Sequence, residues 1–405
     1  MKNGTFYALL SFFIILLSCG EKVKNKIKKV HYIDSPAAEN SSLPNLFSSK
    51  EKTLMSWIEM REDTIAILFY AELKNGEWQT PNEIIRGADW FVNWADFPMI
   101  TENEGHLMSH VLKKTSSDTY SYDIKLNVIP KDSTDWITDL PLHTDETPTE
   151  HGFVTALPYK EDSFFISWLD GRNSQEKVDG SRGAMALRAA EVSAYGQVGN
   201  EIELDSRTCD CCQTTAVITH NGPVVIYRDR SEEEIRDISI VRNVAGKWTS
   251  PKTIYPDNWL IKGCPVNGPK AANLGNNLAV AWFTAAIDQP KVNLVFSKDG
   301  GVSFDNPIQI NDATAIGRVD VLLLKKGIAI VSWMQMEDKG AVLKAVKVDS
   351  SGNRGEPVLI ARLEGSRSTG FPQMELVDDN VYFAWTLVSE AGSSVKTAYI
   401  NSDQF

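Results

Sequence analysis

Basic residues are in deficit in this 405-residue chain: 41 Lys and Arg stand against 53 Asp and Glu, a formal net charge of −12. That deficit disfavours a nucleic-acid partner, which requires a basic stripe, and the acidity reads as plain solubility. Histidine and cysteine are also scarce, at six and five positions. Beyond the first twenty residues no apolar run is long enough to span a bilayer. What remains is ordinary for a soluble globular body, 42% hydrophobic and 23% charged.

The first residues are a different matter. Met1-Lys2-Asn3 is followed by an apolar run from Phe6 to Leu17 and then by Ser18-Cys19-Gly20. A short positive head, an apolar stretch too short for a normal membrane helix and small residues at its end make a secretory signal. The ending Leu16-Leu17-Ser18-Cys19 resembles a bacterial lipobox, which implies that Cys19 is lipidated and becomes the first residue of the mature chain. The expected organisation is a signal over 1–18, a polar, Lys-rich tether over 19–30 and one folded body over 31–405. The expected location is the bacterial cell envelope. There a monomer is held to a lipid bilayer by its acyl group, in a compartment that permits disulfides.

From Leu43 to the C-terminus one unit recurs seven times. A short opening segment is followed by an apolar strand, a second strand, a hairpin and a closing strand. The apolar strands carry Trp57, Trp168, Trp282, Trp333 and Trp385, with His110 and Arg228 at the two departing slots. Neighbouring slots are 51 to 60 residues apart. Each apolar run is short and bounded by Gly or Asn, as suits a strand buried on both faces. The hairpins, such as Asn75-Gly76, Ala245-Gly246 and Gly300-Gly301, supply the positive φ a tight turn needs. A four-stranded unit at this period predicts an all-β fold, a seven-bladed β-propeller of four-stranded antiparallel blades. A six-bladed ring is the alternative, if the irregular unit over 96–148 is not a blade. The last unit has room for only three strands, so the fourth is expected from Val30-His31-Tyr32-Ile33, closing the ring and removing exposed edges.

One hairpin is more specific. Ser297-Lys298-Asp299-Gly300-Gly301-Val302-Ser303-Phe304 resembles the Asp-box, or BNR repeat, of sialidase-like propellers. In that family the Asp ties down the turn and the aromatic tucks between blades. The resemblance extends through the repeat to most of the chain. The family's sialidases also use three arginines, a Tyr nucleophile paired with Glu, and an Asp acid/base. Their first Arg lies in an Arg-Ile-Pro segment that this chain lacks, so those roles have no position here onto which to carry.

The remaining cysteines are placed unusually. Cys209-Asp210-Cys211-Cys212 opens the fourth unit, Cys264 opens the fifth and His151 the third. Blade openings gather at one mouth of a propeller, so these residues are expected together with Asp96, Asn267, Arg318 and Arg367. Two disulfides would stiffen that mouth. Alternatively, soft thiolates, with or without His151, would bind Cu or Zn. Arg228, with Arg172 and Arg230, supplies cations at strand ends, and Asp170, Asp229 and Asp320 are further acidic candidates. Trp90, Phe91, Trp94 and Trp259 precede blade openings, where aromatics stack on sugars or cap a channel. The expected function is to bind a ligand, glycan or metal at the channel mouth. The alternative is an exo-sialidase or related glycoside hydrolase, and a protein-binding scaffold is a third class.

Overall fold

The computed structural model describes residues 1, 29–62, 64–175 and 183–405. The signal, Cys19 and most of the tether lie outside them. Seven antiparallel sheets follow one another along the chain, and their polar inner-strand residues converge on one central channel. The fold is the expected seven-bladed propeller. Its innermost strands are Ser41–Ser48, Ile100–Asn103, His151–Tyr159, Thr215–Thr219, Lys270–Leu274, Ala315–Leu324 and Gln373–Val377, one per blade in chain order. The irregular 96–148 unit is a full blade of four strands. Its outermost strand, Ile137–Pro141, is bulged and largely exposed, which is why it hardly registers as a pattern in the sequence.

Blade 7 contributes three strands of its own, and His31–Ile33 adds the fourth by pairing antiparallel with Gly392–Asn401. The Tyr32 hydroxyl reaches across to the Ile360 carbonyl of blade 6 at 2.7 Å. Head and tail of the chain are thus stitched into one sheet.

The core consists of radial wedges between consecutive sheets. Leu46, Met55 and Trp57 pack against Tyr382, Ala384 and Val395 between blades 1 and 7. Met108, Ile124 and Leu126 meet Phe164, Ile166 and Trp168 between blades 2 and 3. The five tryptophans of the repeat are buried at 0–3% exposure. A buried indole must place its N–H. Trp57 donates to Glu59 at 3.0 Å, Trp168 to Asp170 at 2.9 Å and Trp333 to Gln335 at 2.7 Å, each two residues along the same strand, whereas Trp282 donates to Asp257 at 2.6 Å.

The channel side is tied by a polar belt. Asn45 Oδ1 accepts the Ile100 amide of the next blade at 3.0 Å, and Asp96 Oδ1 accepts that of Phe153 at 2.7 Å. Gln213 accepts Gly268 at 3.1 Å, Asn267 accepts Arg318 at 2.8 Å and Asp320 accepts Met374 at 2.8 Å. These five bonds join blades 1–2, 2–3, 4–5, 5–6 and 6–7. Thr155 and Thr214 join blades 3 and 4, and Leu43 donates to Thr386 of blade 7.

The turns follow their residues. Asn75-Gly76, Ala245-Gly246 and Gly300-Gly301 all take positive φ. In the 297–304 hairpin the Asp299 carboxylate accepts the Ser303 amide at 3.0 Å and both the Ser297 and Ser303 hydroxyls. Those bonds hold it down to a pKa of about 2 against the burial that would raise it.

Candidate functional site at the channel mouth

Blade openings are not regular strand. The register slips between Ser42 and Asn45, between Gly152 and Thr155, and between Gly317 and Asp320. Leu43, Phe153, Val266 and Arg318 sit there in the left-handed region, at φ 57°, 53°, 47° and 51°. Bulky residues avoid that region, and such bulges re-aim side chains beside functional sites. Two glycines make room for the re-aimed groups. A Cβ on Gly152 would stand 1.9 Å from Asp96 Oδ2, and one on Gly317 would stand 2.2 Å from Asn267 Oδ1.

Over this mouth lies a cavity of about 430 Å³. Phe91, Trp94 and Tyr120 supply its aromatic wall, Tyr122, Asp96, Glu150 and Asp210 its acidic floor, and Arg367, Cys211 and Cys264 its remaining polar side. Phe91 stacks on Tyr122 with ring centroids 4.2 Å apart, and Trp94 stacks on Phe371. The Tyr122 hydroxyl donates to Glu150 Oε1 at 2.7 Å and lies 3.4 Å from Asp96 Oδ2.

The electrostatics follow from placing several acids in one dry wall. Burial pushes Asp96 well above the usual carboxylate range, against the pull of the Phe153 amide. Burial likewise raises Glu150 to about 7, with the Tyr122 bond lowering it and Asp210 raising it. Tyr122 is itself pushed well up by burial and by the two carboxylates. A phenol has one proton to give, and here two acceptors face it. A proton on one of the carboxyls relieves that conflict, and Glu150 exchanges one near neutral pH. Such a group serves as a general acid or base.

Of the residues singled out from the sequence, Phe91, Trp94, Asp96, Arg367, Cys211 and Cys264 line this one cavity. Cys209 and Cys212 are buried, with Cys209 Sγ 3.4 Å from Cys212 Sγ and 3.8 Å from Cys211 Sγ. All four sulfurs are free thiols. Asn267 lies against them, its backbone amide 3.4 Å from Cys212 Sγ.

His151 turns away. Its ring stacks on His143 at 3.9 Å. Nδ1 lies 3.2 Å from the Tyr122 and Thr149 carbonyls, and Nε2 faces Asp145 at 3.3 Å and Asp170 at 3.7 Å. Arg172 pairs with the same Asp170. Arg228 gives its guanidinium to the carbonyls of Asn267, Arg236 and Phe283 and lies over the Trp259 ring. Arg318 donates to the Gly370 and Ser366 carbonyls and lies over Trp94, and burial lowers its pKa to about 10. Both arginines clamp blades together. Among the described residues Arg367 is the one arginine lining the cavity.

Sequence reasoning passed over Tyr122 and Glu150. Glu150 precedes His151, and adjacent strand residues face opposite ways. The residue chosen from the pattern therefore points into the protein and its neighbour into the cavity. Tyr122 begins the third strand of blade 2, a position the Trp repeat does not mark. The run of acid and aromatic residues at 118–123 was the available signal.

No family model matches the chain, and no curated protein does. Solved structures do. A polysaccharide lyase of family PL25, an ulvan lyase bound to a GlcA–Rha3S saccharide, is 12% identical. That match covers 92% of this chain and 96% of the lyase with a TM-score of 0.59. The polysaccharide lyase Uly1 is 10% identical, with 89% and 90% covered and a TM-score of 0.52. An α-L-arabinofuranosidase from Fusarium graminearum, in complex with an iminosugar inhibitor, is 12% identical, with 94% and 99% covered and a TM-score of 0.51. At these identities the likeness is one of fold.

Proposed function

We propose that this chain is a carbohydrate-active propeller that cleaves glycosidic bonds at its mouth cavity, with Glu150 as the proton donor and Tyr122 holding it. The observation that carries this reading is the hydrogen-bonded trio Tyr122, Glu150 and Asp96 in an aromatic-walled cavity of about 430 Å³. That volume lies within the range of small-ligand sites. Phe91, Trp94 and Tyr120 offer faces on which a sugar ring stacks. Arg367, exposed at the rim, offers a cation to a carboxylate or sulfate on the sugar.

Breaking a glycosidic bond requires a proton for the departing oxygen and, at the sugar left behind, either water that adds and releases its own proton to solvent (hydrolysis) or a ring proton lost to solvent from beside a carboxylate (elimination). Glu150, poised near pH 7, gives the departing oxygen its proton, and the Tyr122 hydroxyl holds its carboxyl in place. Asp96, fixed at one oxygen by the Phe153 amide, holds Tyr122 from the other side. Polysaccharide lyases and an arabinofuranosidase share the fold, which supports a glycan substrate. A single cavity arginine favours an anionic sugar gripped at one point over the three-arginine grip of a sialidase.

The test is to incubate the purified chain with uronate-bearing, sialylated and neutral oligosaccharides, following reducing ends and the ultraviolet absorbance of unsaturated uronates. Cleavage lost by about 100-fold or more in Glu150→Gln, with binding retained, supports the proposal. Binding with no cleavage across the set overturns the enzymatic reading and leaves a glycan-binding protein. We further propose that Cys19 carries the acyl anchor of an envelope lipoprotein. Fatty-acid labelling lost in Cys19→Ala tests it.

A further inference from the structure

Four thiols gathered on two blades of a 405-residue chain that contains one other cysteine call for an account of their own. Cys209 and Cys212 are 0% and 1% exposed, Cys211 is half-buried and Cys264 is exposed at the cavity rim. The sulfurs of Cys209, Cys211 and Cys212 all lie within 4.8 Å of one another. Cys264 lies outside that group of three but lines the same cavity as Cys211.

We propose that Cys209, Cys211 and Cys212 bind a thiophilic d¹⁰ cation, either Cu⁺ with these three sulfurs or Zn²⁺ with Cys264 as the fourth ligand. Three observations carry it. First, sulfurs about 2.3 Å from one tetrahedral zinc stand roughly 3.8 Å from each other, and Cys209 Sγ stands 3.4 Å from Cys212 Sγ and 3.8 Å from Cys211 Sγ. Second, N–H donors aim at the sulfurs. Arg236 Nη1 lies 3.2 Å from Cys209 Sγ, and the Asn267 amide lies 3.4 Å from Cys212 Sγ. Donors of this kind surround metal-bound thiolates and set their basicity. Third, the donor is held in place: Arg236, 4% exposed at its side chain, pairs with Glu234, which also binds Arg230, and Arg230 reaches Asp210 within the cysteine motif. His151, facing Asp145 and Asp170, takes no part. The site lies in the wall of the glycan cavity but does not depend on that reading.

The experiment uses the full chain purified without oxygen. Metal content is measured, and then the chelated protein is titrated with Zn²⁺ against a colorimetric zinc chelator and with Cu⁺ against bicinchoninate. The expected result is about one cation per chain, with cysteines shielded from alkylation until chelation frees them. Cys264→Ser, at an exposed position, separates the two cations. A loss of affinity of 10-fold or more supports four-coordinate zinc, and unchanged affinity with Cu⁺ preferred supports three-coordinate copper. Arg236→Gln is expected to weaken binding about 10-fold by removing the donor to Cys209. Thiols that stay inert to alkylation after chelation, and react only after a disulfide reductant, overturn the proposal. So do four free thiols that bind neither cation.

Discussion

One oxygen of Asp96 accepts the amide of Phe153, 2.7 Å away on the next blade, while the other lies 3.4 Å from the Tyr122 hydroxyl. The same carboxylate is thus a link in the belt that holds the ring together and part of the cavity floor. Gly152 lets it approach, since any larger residue would collide with Oδ2. The belt gives the site its rigidity, because the acceptor that fixes blade 2 to blade 3 also fixes Tyr122.

Asn45 and Asp96 make the same blade-to-blade bond, but only Asp96 faces the cavity. Asn45→Ala is expected to lower stability by about 1–3 kcal/mol by leaving the Ile100 amide unpaired, with turnover unchanged. Asp96→Asn, which keeps an acceptor for Phe153, is expected to lose turnover with a smaller loss of stability. Denaturant unfolding and the glycan-cleavage assay, run on both variants, check the contrast.

Glu150 gives its proton only while it has one. Cleavage limited by that proton is expected to fall as pH rises through about 7, and a rate–pH profile checks it. Tyr122→Phe removes the hydrogen bond that lowers this pKa, so the inflection is expected to move to higher pH. A profile flat from pH 5 to 9 in the unmodified chain would remove Glu150 from the role of acid.

Deep in the channel, Glu375 is pushed up to about 8 by burial, with Asp320 raising it further and Lys270 opposing. Its usual value is 4.5. The folded protein therefore holds this proton more tightly than the unfolded chain does. Linkage then makes stability fall as pH rises from about 4.5 to 8, the interval in which the folded state binds more protons. Glu375→Gln removes the effect. Unfolding curves for the two proteins are expected to diverge over that interval, the variant gaining as pH rises, and to run parallel outside it.

The seam of the ring is a three-residue strand. Changing Tyr32 to Ala removes its hydroxyl bond to Ile360 and its edge contact with Trp385. The melting temperature is expected to fall. Deleting residues through Ile33 bares the edge of Gly392–Asn401, and light scattering is expected to show self-association.

The fold was legible because its signals repeat. Five tryptophans, with His110 and Arg228 in the two departing slots, and hairpins between strands state the blade seven times over, and even the missing strand of the last unit pointed to 30–33. The site was legible only where it coincides with the repeat. Asp96, Arg367 and the cysteines open blades, and the ring gathers them. Tyr122 and Glu150 lie off the repeat, and which of two adjacent residues faces the cavity depends on a bulge at Gly152 that a periodic pattern does not encode. Arg228 and Arg318 stood out as ligand-binding candidates, yet the carbonyls of Asn267 and Gly370 on the next blades claim them.

The closing strand has a consequence for biogenesis. His31–Ile33 leaves the ribosome among the first residues of the ring, and its partner, Gly392–Asn401, leaves it last. Throughout synthesis the leading segment waits unmatched, so the circle can lock only after the tail is released. Whatever is attached ahead of residue 29 pulls directly on that lock, and a mechanical load from that side would open the molecule at its seam first.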